Sequence, residues 1–507
     1  MYDSNYLASR LRAASVGRDD ALFARTPEGD ALSYGEMFAL AEQNATALIA
    51  AGLKPGGRVA VQVEKSIQSL QLYLGTVLAG GVFLPLNTGY TPAELEYFLG
   101  DAEPTVFVCD PAKLSSLQAL ADKAGVTSVF TLSSKATGTL VDALIPSQQT
   151  FAAVARERDD LAAFLYTSGT TGRSKGAMLS HENLASNAEV LKDYWQFTQQ
   201  DVLIHALPIF HTHGLFVATN TTLCAGSSLI FMTHFDVKSI LQGMKKATVL
   251  MGVPTFYVRL LESPGLTPEA VAQMRLFISG SAPLLAETHK QWQQVTGSVI
   301  LERYGMTETN MNTSNPYQGE RRAGTVGFPL PGVEIRIADP ESGKELAPGS
   351  VGSIEIRGPN VFKGYWRMPE KTREEFRQDG FFISGDLGVI DDQGYISIVG
   401  RSKDLIISGG YNVYPKEIEL LIDDIEGVYE SAVIGVPHPD FGEAVVAVVV
   451  TEAGKSLEES DIQNAMKDKL ARYKQPKKIF FTRELPRNTM GKVMKNVLRD
   501  EHQPDFS

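Results

Sequence analysis

The chain has 507 residues, of which 43% are hydrophobic and 21% charged, and its formal net charge is -12 at pH 7. A single hydrophobic core seldom grows beyond ~250–300 residues, so more than one folded unit is expected. The acidic balance argues against nonspecific nucleic-acid binding and against docking on anionic membranes, so neither is expected as a partner. Only Cys109 and Cys224 are present, which excludes a disulfide framework and a cysteine-based zinc site. Together with the lack of an apolar signal segment, this predicts a cytoplasmic protein.

Strand-like and helical patterns alternate through most of the chain. Residues 58–64 alternate as a strand, and Thr91 begins a helix with a proline at its first position and a capping-box glutamate, Glu94. Short apolar runs bounded by Gly, Pro or Ser predict parallel strands at residues 249–253, 276–279 and 299–301.

From about Gly324 the pattern changes to short strands and turns, which predicts a β-rich subdomain. A new small unit follows Lys403, with a helix at 415–422 and strands at 431–436 and 443–450. We therefore expect an α/β fold with a large N-terminal domain, residues 1–402, and a small α+β C-terminal domain, residues 403–507.

The most informative segment is 166–176, which reads Y-T-S-G-T-T-G-R-S-K-G directly after the apolar run 161–165. Glycines let the backbone approach an anion closely, short hydroxyls and bare N–H groups donate to it, and the lysine adds a mobile charge. This chemistry suits a triphosphate, although the spacing is not that of a Walker A loop. A solvated, flexible turn is the alternative for a loop of this composition.

Three further segments carry polar groups suited to a nucleotide. Residues 304–308 read Y-G-M-T-E after an expected strand, at the sheet edge where open α/β folds bind ligands. Asp386 follows a glycine and could bind ribose hydroxyls together with Arg401, and Lys492 lies in a polar turn near the end of the chain. Taken singly, each is better explained by a surface turn, an ion pair or a solvated lysine.

Taken together, the segments are far more specific. The chain resembles the superfamily of AMP-forming acyl- and aryl-CoA synthetases, luciferases and peptide-synthetase adenylation domains over nearly all of its length. The motifs occur in the family's order: 167–176, 280–283, 304–308, Asp386, Arg401, the Gly409-Gly410 turn with Glu417, and Lys492. One departure is Ser174, which stands where the family usually has proline.

The resemblance implies ATP and Mg²⁺ as ligands and assigns a nucleotide role to each matching position. Tyr304 would stack on adenine, Thr307 would contact the α-phosphate, and Glu308 would hold Mg²⁺. Asp386 and Arg401 would bind the ribose. The residues that would hold the β- and γ-phosphates are Thr167, Ser168, Gly169, Thr170, Thr171 and Lys175.

The resemblance also implies a reaction in two steps with coenzyme A as co-substrate. Lys492 would bridge the substrate carboxylate and the α-phosphate while the acyl-adenylate forms and pyrophosphate leaves. The mobile C-terminal domain would then rotate about Lys403, and Gly410, lacking a Cβ, would leave room for the pantetheine arm. Since relatives are acetylated at the matching lysine, a lysine acetyltransferase acting on Lys492 is a possible partner.

The acyl pocket should lie around His211, Ser281 and the strand before Tyr304. Arg303 stands where most members of the superfamily have a small residue, and a buried guanidinium is well satisfied by a bidentate carboxylate. His211 and His213 would face the same side if residues 207–216 formed a strand.

Arg303 and His211 would then bind the far carboxylate of a short dicarboxylic acid. Alternatively, Arg303 pairs with Glu302 or another protein acid, and His211 is only a gate. With Thr212 and Met311, these positions resemble malonyl-CoA synthetases, which implies malonate or methylmalonate as the substrate. One methyl group is worth only ~1–3 kcal/mol, so the sequence does not separate the two acids.

Other functions were also weighed. A CoA ligase for a short monocarboxylic or aromatic acid is the alternative within the same class of enzymes. A metallohydrolase could use His205, His211 and His213, because H-x-H on a strand can chelate zinc, but it leaves the ATP-like motifs unexplained. A non-catalytic binding module would be expected to have lost residues such as Lys175, Glu308 and Lys492, and all of these are present.

Overall fold

The computed structural model describes residues 2–145, 151–167, 174–408, 411–438, 442–467, 469–470, 472–488 and 491–503. The chain forms two compact units, one made of Met1–Glu334 and Arg357–Phe376, the other of Ile335–Ile356 and Arg377–Ser507. The predicted mixed α/β class is confirmed, with a large N-terminal and a small C-terminal part. The domain boundary at Lys403 falls inside the second unit and stays a prediction.

The strands of the first unit belong to two sheets. They are β1 (Leu22–Arg25), β2 (Ala31–Ser33), β3 (Arg58–Gln62), β4 (Val82–Pro85), β5 (Val106–Cys109), β6 (Ser128–Thr131), β7 (Leu161–Thr167), β8 (Lys175–Ser180), β9 (Val202–His205), β10 (Ser228–Phe231), β11 (Val249–Gly252), β12 (Leu276–Ser279), β13 (Leu301–Met306), β14 (Asn310–Ser314) and β15 (Phe328–Pro329).

The remaining strands belong to the second unit, except for Glu334 at the start of β16 and Arg357 at the end of β17. They are β16 (Glu334–Ala338), β17 (Gly352–Arg357), β18 (Phe382–Ile390), β19 (Ile396–Arg401), β20 (Ile406–Ser408), β21 (Tyr411–Val413), β22 (Val428–His438), β23 (Gly442–Thr451) and β24 (Lys478–Thr482).

The α-helices follow the same chain order. They are α1 (Tyr6–Ala13), α2 (Tyr34–Ala50), α3 (Ile67–Leu78), α4 (Pro92–Ala102), α5 (Leu114–Lys123), α6 (Thr139–Asp142), α7 (His181–Tyr194), α8 (Thr221–Ala225), α9 (Val237–Met244), α10 (Pro254–Leu261), α11 (Ala286–Thr296), α12 (Pro369–Glu374), α13 (Pro415–Asp423), α14 (Glu459–Met466) and α15 (Lys495–His502). A π-helix spans His213–Asn220, and 3₁₀ turns span Pro111–Lys113 and Ser402–Asp404. Among the described residues, no helix is both long and apolar enough to cross a membrane.

Two large sheets organise the first unit. The nine-stranded sheet has the order β15-β14-β13-β12-β11-β9-β10-β1-β2, and the six-stranded sheet has the order β6-β5-β3-β4-β7-β8. Strands β9 to β13 pair in parallel, so their carboxyl ends share one edge. At the margins the pairing turns antiparallel, in the β7–β8 hairpin and in the β13–β14 hairpin. Both hairpins carry predicted site residues.

The local signals at α4 act as predicted. Thr91 accepts a hydrogen bond from the backbone N–H of Glu94, whose carboxylate accepts one from the backbone of Thr91. Leu95, Phe98 and Leu99 are buried in the core of the six-stranded sheet, as their spacing predicts.

The second unit contains a four-stranded sheet, β16-β17-β18-β19, and a five-stranded sheet in which β24 pairs with β23 beside the order β21-β20-β23-β22. The long β22–β23 hairpin buries alternate residues in two apolar clusters, one containing Val433 and Val445 and the other Ile434 and Val446. This agrees with the β-rich pattern and the small α+β unit expected from the sequence.

Two local expectations were wrong. The strand expected at 299–301 begins at Leu301 and continues to Met306, so that Tyr304 lies within it. Its polar residues Glu302 and Arg303 are buried, which hides the strand from a search for apolar runs. Residues 207–216 do not form a strand, because the π-helix begins at His213. A short apolar run does not distinguish a buried helix from a buried strand.

Candidate active site

The segment expected to hold phosphates lies on the β7–β8 hairpin. Thr167 ends β7, Lys175 begins β8, and the two residues pair across the base of the hairpin. Tyr97 fixes the start of β8 by donating from its hydroxyl to the Ser174 carbonyl at 2.8 Å. The predicted residues Ser168, Gly169, Thr170 and Thr171 lie outside the described residues.

Lys175 is buried and belongs to a polar network. Its Nζ lies 2.8 Å from Oε1 of Glu375 and 4.0 Å from the centroid of the Tyr365 ring. The Tyr365 hydroxyl lies 2.6 Å from Oε2 of Glu375 and 3.1 Å from Oε1 of Glu308. Tyr365 and Glu375 therefore connect the lysine of the phosphate hairpin with the predicted metal ligand.

Glu308 follows β13 in the turn at 307–309 and is buried. Burial raises the pKa of its carboxyl, and the Tyr365 hydroxyl and the charge of Lys175 oppose the rise. No lysine or arginine in the described part of the chain forms an ion pair with Glu308. A buried carboxylate in this state fits a divalent cation, which would favour its ionised form and which prefers oxygen ligands.

The adenine and α-phosphate candidates lie on the same hairpin. Tyr304 is buried in β13, opposite Thr313 of β14, and Thr307 is partly exposed in the turn. At Gly305, an added Cβ would approach the Asn310 carbonyl oxygen to 2.0 Å, so only glycine fits this bulged position. The hairpin thus places Tyr304, Thr307 and Glu308 together.

Arg303 is buried in β13, and its guanidinium packs against Gly280. A Cβ added to Gly280 would come within 2.4 Å of Cζ of Arg303, so the glycine leaves space for the cation. The Nε and Nη2 atoms of Arg303 are buried without a hydrogen-bond partner. Burial lowers the pKa of this guanidinium to about 9.

The alternative that Arg303 pairs with Glu302 is wrong. Glu302 accepts a hydrogen bond from the backbone of Gly324, and burial raises the pKa of its carboxyl to about 8. Across the residues that the structure describes, Arg303 forms no ion pair with any carboxylate. Leaving a buried guanidinium unpaired is costly, so its environment calls for an anionic ligand.

Two histidines lie close to Arg303. His211 is partly exposed, and its Nδ1 accepts from the backbone N–H of His213 at 3.3 Å, so its ring proton resides on Nε2. His213 is buried, with Nδ1 at 3.2 Å from Oγ of Ser281 and with Nε2 lacking a partner. Desolvation and then the charge of Arg303 lower the pKa of His211 to about 4 and that of His213 further below its usual range. Both rings are therefore neutral.

The other predicted acyl-pocket residues belong to the same region. Ser281 adopts a φ of 72°, an uncommon conformation for a residue other than glycine. Residues in such strained conformations cluster at functional sites. Thr212 is buried, with Oγ1 at 3.4 Å from Oδ1 of Asn310. Met311 pairs with Gly305 across the β13–β14 hairpin. The structure therefore brings His211, Thr212, Ser281, Arg303 and Met311 together around two elements, the β13–β14 hairpin and the start of the π-helix.

The geometry of the histidines does not support a metallohydrolase. His205 contacts Nζ of Lys65 through Nδ1 and the carbonyl of Gly214 through Nε2, so both ring nitrogens are engaged. No group of three or more His, Cys, Asp or Glu side chains suited to a metal occurs in the described segments.

The second unit carries the remaining candidates. Nε of Arg401 pairs with Oδ1 of Asp386 at 2.9 Å across β18 and β19. Lys492 is exposed overall, yet partial desolvation of its amine and the nearby charge of Arg401 lower its pKa to about 8. Lys403 lies in the 3₁₀ turn at Ser402–Asp404, where desolvation lowers its pKa. Gly410 lies outside the described residues.

Sequence reasoning missed three side chains at these sites. Tyr365 and Glu375 are about 200 residues away from Lys175, and nothing local connects them. His213 was expected to face the same side as His211 and was weighed as a metal ligand, but it was not assigned to the far carboxylate. Gly280, a buried glycine that faces Arg303, was a sequence signal for close packing in this region, since glycine marks positions where another group closely approaches the backbone.

Comparisons with known proteins agree with this architecture. Residues 10–366 match the family described as AMP-binding enzyme, and residues 417–492 match the AMP-binding enzyme C-terminal domain. The crystal structure of ATP-bound MatB from Rhodopseudomonas palustris is similar with a TM-score of 0.97 and 59% identity, covering 99% of this chain and 100% of that one.

Curated relatives cover most of the chain as well. A malonate–CoA ligase of Arabidopsis thaliana is 36% identical over 482 residues, which is 88% of this chain and 78% of the relative. A probable CoA ligase of Humulus lupulus, CCL8, is 38% identical over 485 residues, 88% of this chain and 79% of the relative. With a family match across most of its length and two site regions that suit a nucleotide and an acid, the chain belongs to the AMP-binding enzymes.

Proposed function

We propose that this enzyme ligates a short dicarboxylic acid, malonate or methylmalonate, to coenzyme A through an acyl-adenylate, consuming ATP and releasing AMP and pyrophosphate. The observation that carries the proposal is the buried guanidinium of Arg303, whose Nε and Nη2 atoms have no partner. The similarity to a malonate–CoA ligase supports the same class of substrate.

The far carboxylate of a dicarboxylic acid satisfies several groups at once. It can accept two parallel hydrogen bonds from Arg303 and a further one from Nε2 of His213, which also lacks a partner. A monocarboxylic acid would leave the guanidinium buried and unpaired, which costs about 2–5 kcal/mol. The pocket therefore favours the dicarboxylate through the penalty imposed on its competitors.

The first step is an in-line attack of the near carboxylate on the α-phosphorus, for which positioning and electrostatic stabilisation supply most of the catalysis. We propose that Thr167 and Lys175 hold the β- and γ-phosphates, that Thr307 contacts the α-phosphate, and that Tyr304 stacks on adenine. Mg²⁺, bound by Glu308, would neutralise charge on the phosphates. Asp386 and Arg401 would bind the ribose.

In the second step the CoA thiol attacks the acyl-adenylate and AMP leaves. We retain Lys403 as the proposed hinge and Gly410 as the position that admits the pantetheine arm. A cytoplasmic location also remains a prediction, based on the two free cysteines.

The experiment that tests the function is pyrophosphate release with ATP, Mg²⁺ and CoA across acetate, propionate, butyrate, malonate, methylmalonate, succinate and benzoate. We expect kcat/KM for malonate or methylmalonate to exceed that for propionate by roughly 100-fold, the equivalent of about 3 kcal/mol. A preference for propionate, butyrate or benzoate would instead identify a monocarboxylate or aromatic CoA ligase. Thr212 and Met311 are the positions to vary if malonate and methylmalonate differ.

Lys492 is proposed to contribute positive charge to adenylation and to be a target for a lysine acetyltransferase. Substitution Lys492→Gln, which mimics the loss of charge, should abolish ATP-dependent pyrophosphate release but spare thioester formation from synthetic malonyl-adenylate and CoA. Lys455→Gln, which removes an exposed lysine, is the matched control. Full pyrophosphate release by Lys492→Gln would rule out this role.

A further inference from the structure

Lys65 is a buried lysine that contacts His205, the last residue of β9. Lys65 follows β3, and its Nζ lies 2.6 Å from the Met232 carbonyl oxygen, 2.8 Å from the His205 carbonyl oxygen and 3.1 Å from Nδ1 of His205. It also lies 4.6 Å from the centroid of the Phe231 ring. In the described part of the chain no carboxylate pairs with it, so this cation has only neutral partners.

The hydrogen bonds show that Lys65 and His205 together carry one positive charge. Nε2 of His205 lies 2.8 Å from the Gly214 carbonyl oxygen, which can only accept, so Nε2 bears a proton. The two carbonyls facing Nζ require two more protons, and one further proton must lie between Nζ and Nδ1. Whether that proton belongs to the lysine or to the histidine, the pair is cationic.

Burial works against this charge and lowers the pKa of both groups. The three acceptors around Nζ and the face of the Phe231 ring offset the loss of water, because each offers negative potential to the ammonium group. The donor–acceptor geometry, rather than burial alone, therefore fixes the protonation of the pair.

The pair contacts the segment that carries the acyl-pocket histidines. Gly214 directly follows His213 in the π-helix, and a Cβ at this glycine would lie 2.2 Å from the Pro208 carbonyl oxygen, so the segment is tightly packed. Lys65 also lines a cavity of about 280 Å³ whose wall includes Phe210, the residue before His211. The pair therefore contacts the segment that carries both histidines, through Gly214 and through the cavity wall shared with Phe210.

We propose that Lys65 and His205 are positioning residues that hold His211 and His213 in the acyl pocket and add positive charge favouring a dicarboxylate substrate. The inference rests on the proposed function and deepens it. Through the bond from His205 to Gly214, the pair fixes the backbone that presents the ring of His213. Arg303 and His205 both act electrostatically on His213, so the charge of the pair adds to that of Arg303 at this ring.

The test compares Lys65→Met, which keeps the length of the side chain but removes the charge, with Lys54→Met, which alters an exposed lysine of the same unit. For each protein, kcat and KM are measured for malonate, propionate and ATP, together with the thermal melting temperature. We expect Lys65→Met to lower kcat/KM for malonate by about 10- to 100-fold, the effect of a hydrogen bond to a charged group, while KM for ATP changes less than about twofold. The control should match the wild type.

An equal loss of kcat/KM with malonate and propionate would overturn the proposal, because a merely structural defect would not discriminate between acids. A Lys65→Met enzyme that keeps the wild-type kcat/KM for malonate would overturn it as well. Should Lys65→Met fail to fold, His205→Phe replaces it, since phenylalanine keeps an aromatic ring but can neither accept from Lys65 nor donate to the Gly214 carbonyl. The same malonate-selective loss is then expected, and its absence refutes the proposal.

The wild type separates this proposal from the proposed function. If the wild type prefers another acid, the assignment of malonate fails. The positioning role is then decided with the preferred acid: it stands if Lys65→Met lowers kcat/KM for that acid while sparing KM for ATP, and it falls if both change together.

Discussion

The first unit has a phosphate side, around Lys175, and an acyl side, around Arg303. The two sides differ in whether their buried charges have partners within the protein. On the phosphate side, Lys175 is paired with Glu375, and Tyr365 joins Glu375 to Glu308. On the acyl side, Arg303 is buried with two nitrogens lacking partners, and Nε2 of His213 also lacks one. The buried charge of Lys175 is therefore paired within the protein, whereas that of Arg303 is not.

This difference shows how each region relates to its ligand. A triphosphate carries several charges and offers many contacts, so we expect the internal pairing of Lys175 to cost little specificity while it keeps the lysine oriented. A small acid offers few contacts, and a site selects strongly only when the wrong ligand leaves its polar groups unpaired. We therefore propose that incomplete hydrogen bonding at Arg303 is the basis of substrate choice.

Removing the unpaired Nε2 donor of His213 should lower kcat/KM for malonate more than kcat/KM for propionate. His213→Phe keeps an aromatic ring, slightly larger than imidazole, but loses the donor at Nε2, and a hydrogen bond to a charged group contributes ~1.5–3 kcal/mol. We expect kcat/KM for malonate to fall about 10- to 100-fold. Steady-state kinetics with malonate and propionate measures the effect, and a matching fall with propionate would show that His213 does not face the far carboxylate.

Breaking the internal pairing should affect the phosphate side alone. Glu375→Gln removes the counter-ion that holds Lys175 over Tyr365, so we expect KM for ATP to rise about tenfold, or ~1.4 kcal/mol, with KM for malonate unchanged. Glu374→Gln alters the exposed neighbour as a control. Tighter ATP binding by Glu375→Gln would mean that Glu375 competes with the phosphates instead of orienting the lysine.

The pH profile of adenylation tests whether the reaction needs the charge of Lys492. Lys492 has its pKa lowered to about 8, so its charge is present below that pH and is lost as the pH rises through it. Above pH 8, kcat/KM for ATP in the adenylation step should therefore fall about tenfold per pH unit, since this parameter reports groups of the free enzyme. A flat profile to pH 10 would contradict a role for the Lys492 ammonium.

A change outside both regions should lower stability without altering substrate choice. Thr91→Ala removes the N-cap of α4 and should reduce the free energy of unfolding by ~0.5–2 kcal/mol. Urea denaturation measures this loss, and the malonate-to-propionate ratio of kcat/KM should stay at the wild-type value. An altered ratio would mean that specificity responds to general destabilisation, which would weaken conclusions from the acyl-side variants.

Much of the fold could be predicted from local patterns. The capping box at Thr91 and the apolar runs at 249–253 and 276–279 gave elements close to those observed, because their signals lie within a few residues. The β13 strand was misplaced since buried Glu302 and Arg303 interrupt its apolar pattern. The start of the π-helix was considered as part of a strand because a short apolar run, here 207–216, does not distinguish a buried helix from a buried strand.

The site was predictable where one segment carries several of its groups. The phosphate hairpin and residues 304–308 are of this kind. The link from Lys175 through Glu375 and Tyr365 to Glu308 was not, because it depends on contacts between distant segments. The absence of a carboxylate beside Arg303, among the residues described, could likewise be seen only in three dimensions.

The most direct test of the account crosses two enzymes with two acids. Wild type and Arg303→Met are each assayed with malonate and with propionate, and Arg25→Met, at an exposed arginine, is the control. From the four kcat/KM values, we predict a coupling of at least ~2 kcal/mol between Arg303 and the far carboxylate, with the malonate preference lost in Arg303→Met. Equal losses with both acids, and so no coupling, would contradict the claim that Arg303 is left unpaired for the substrate.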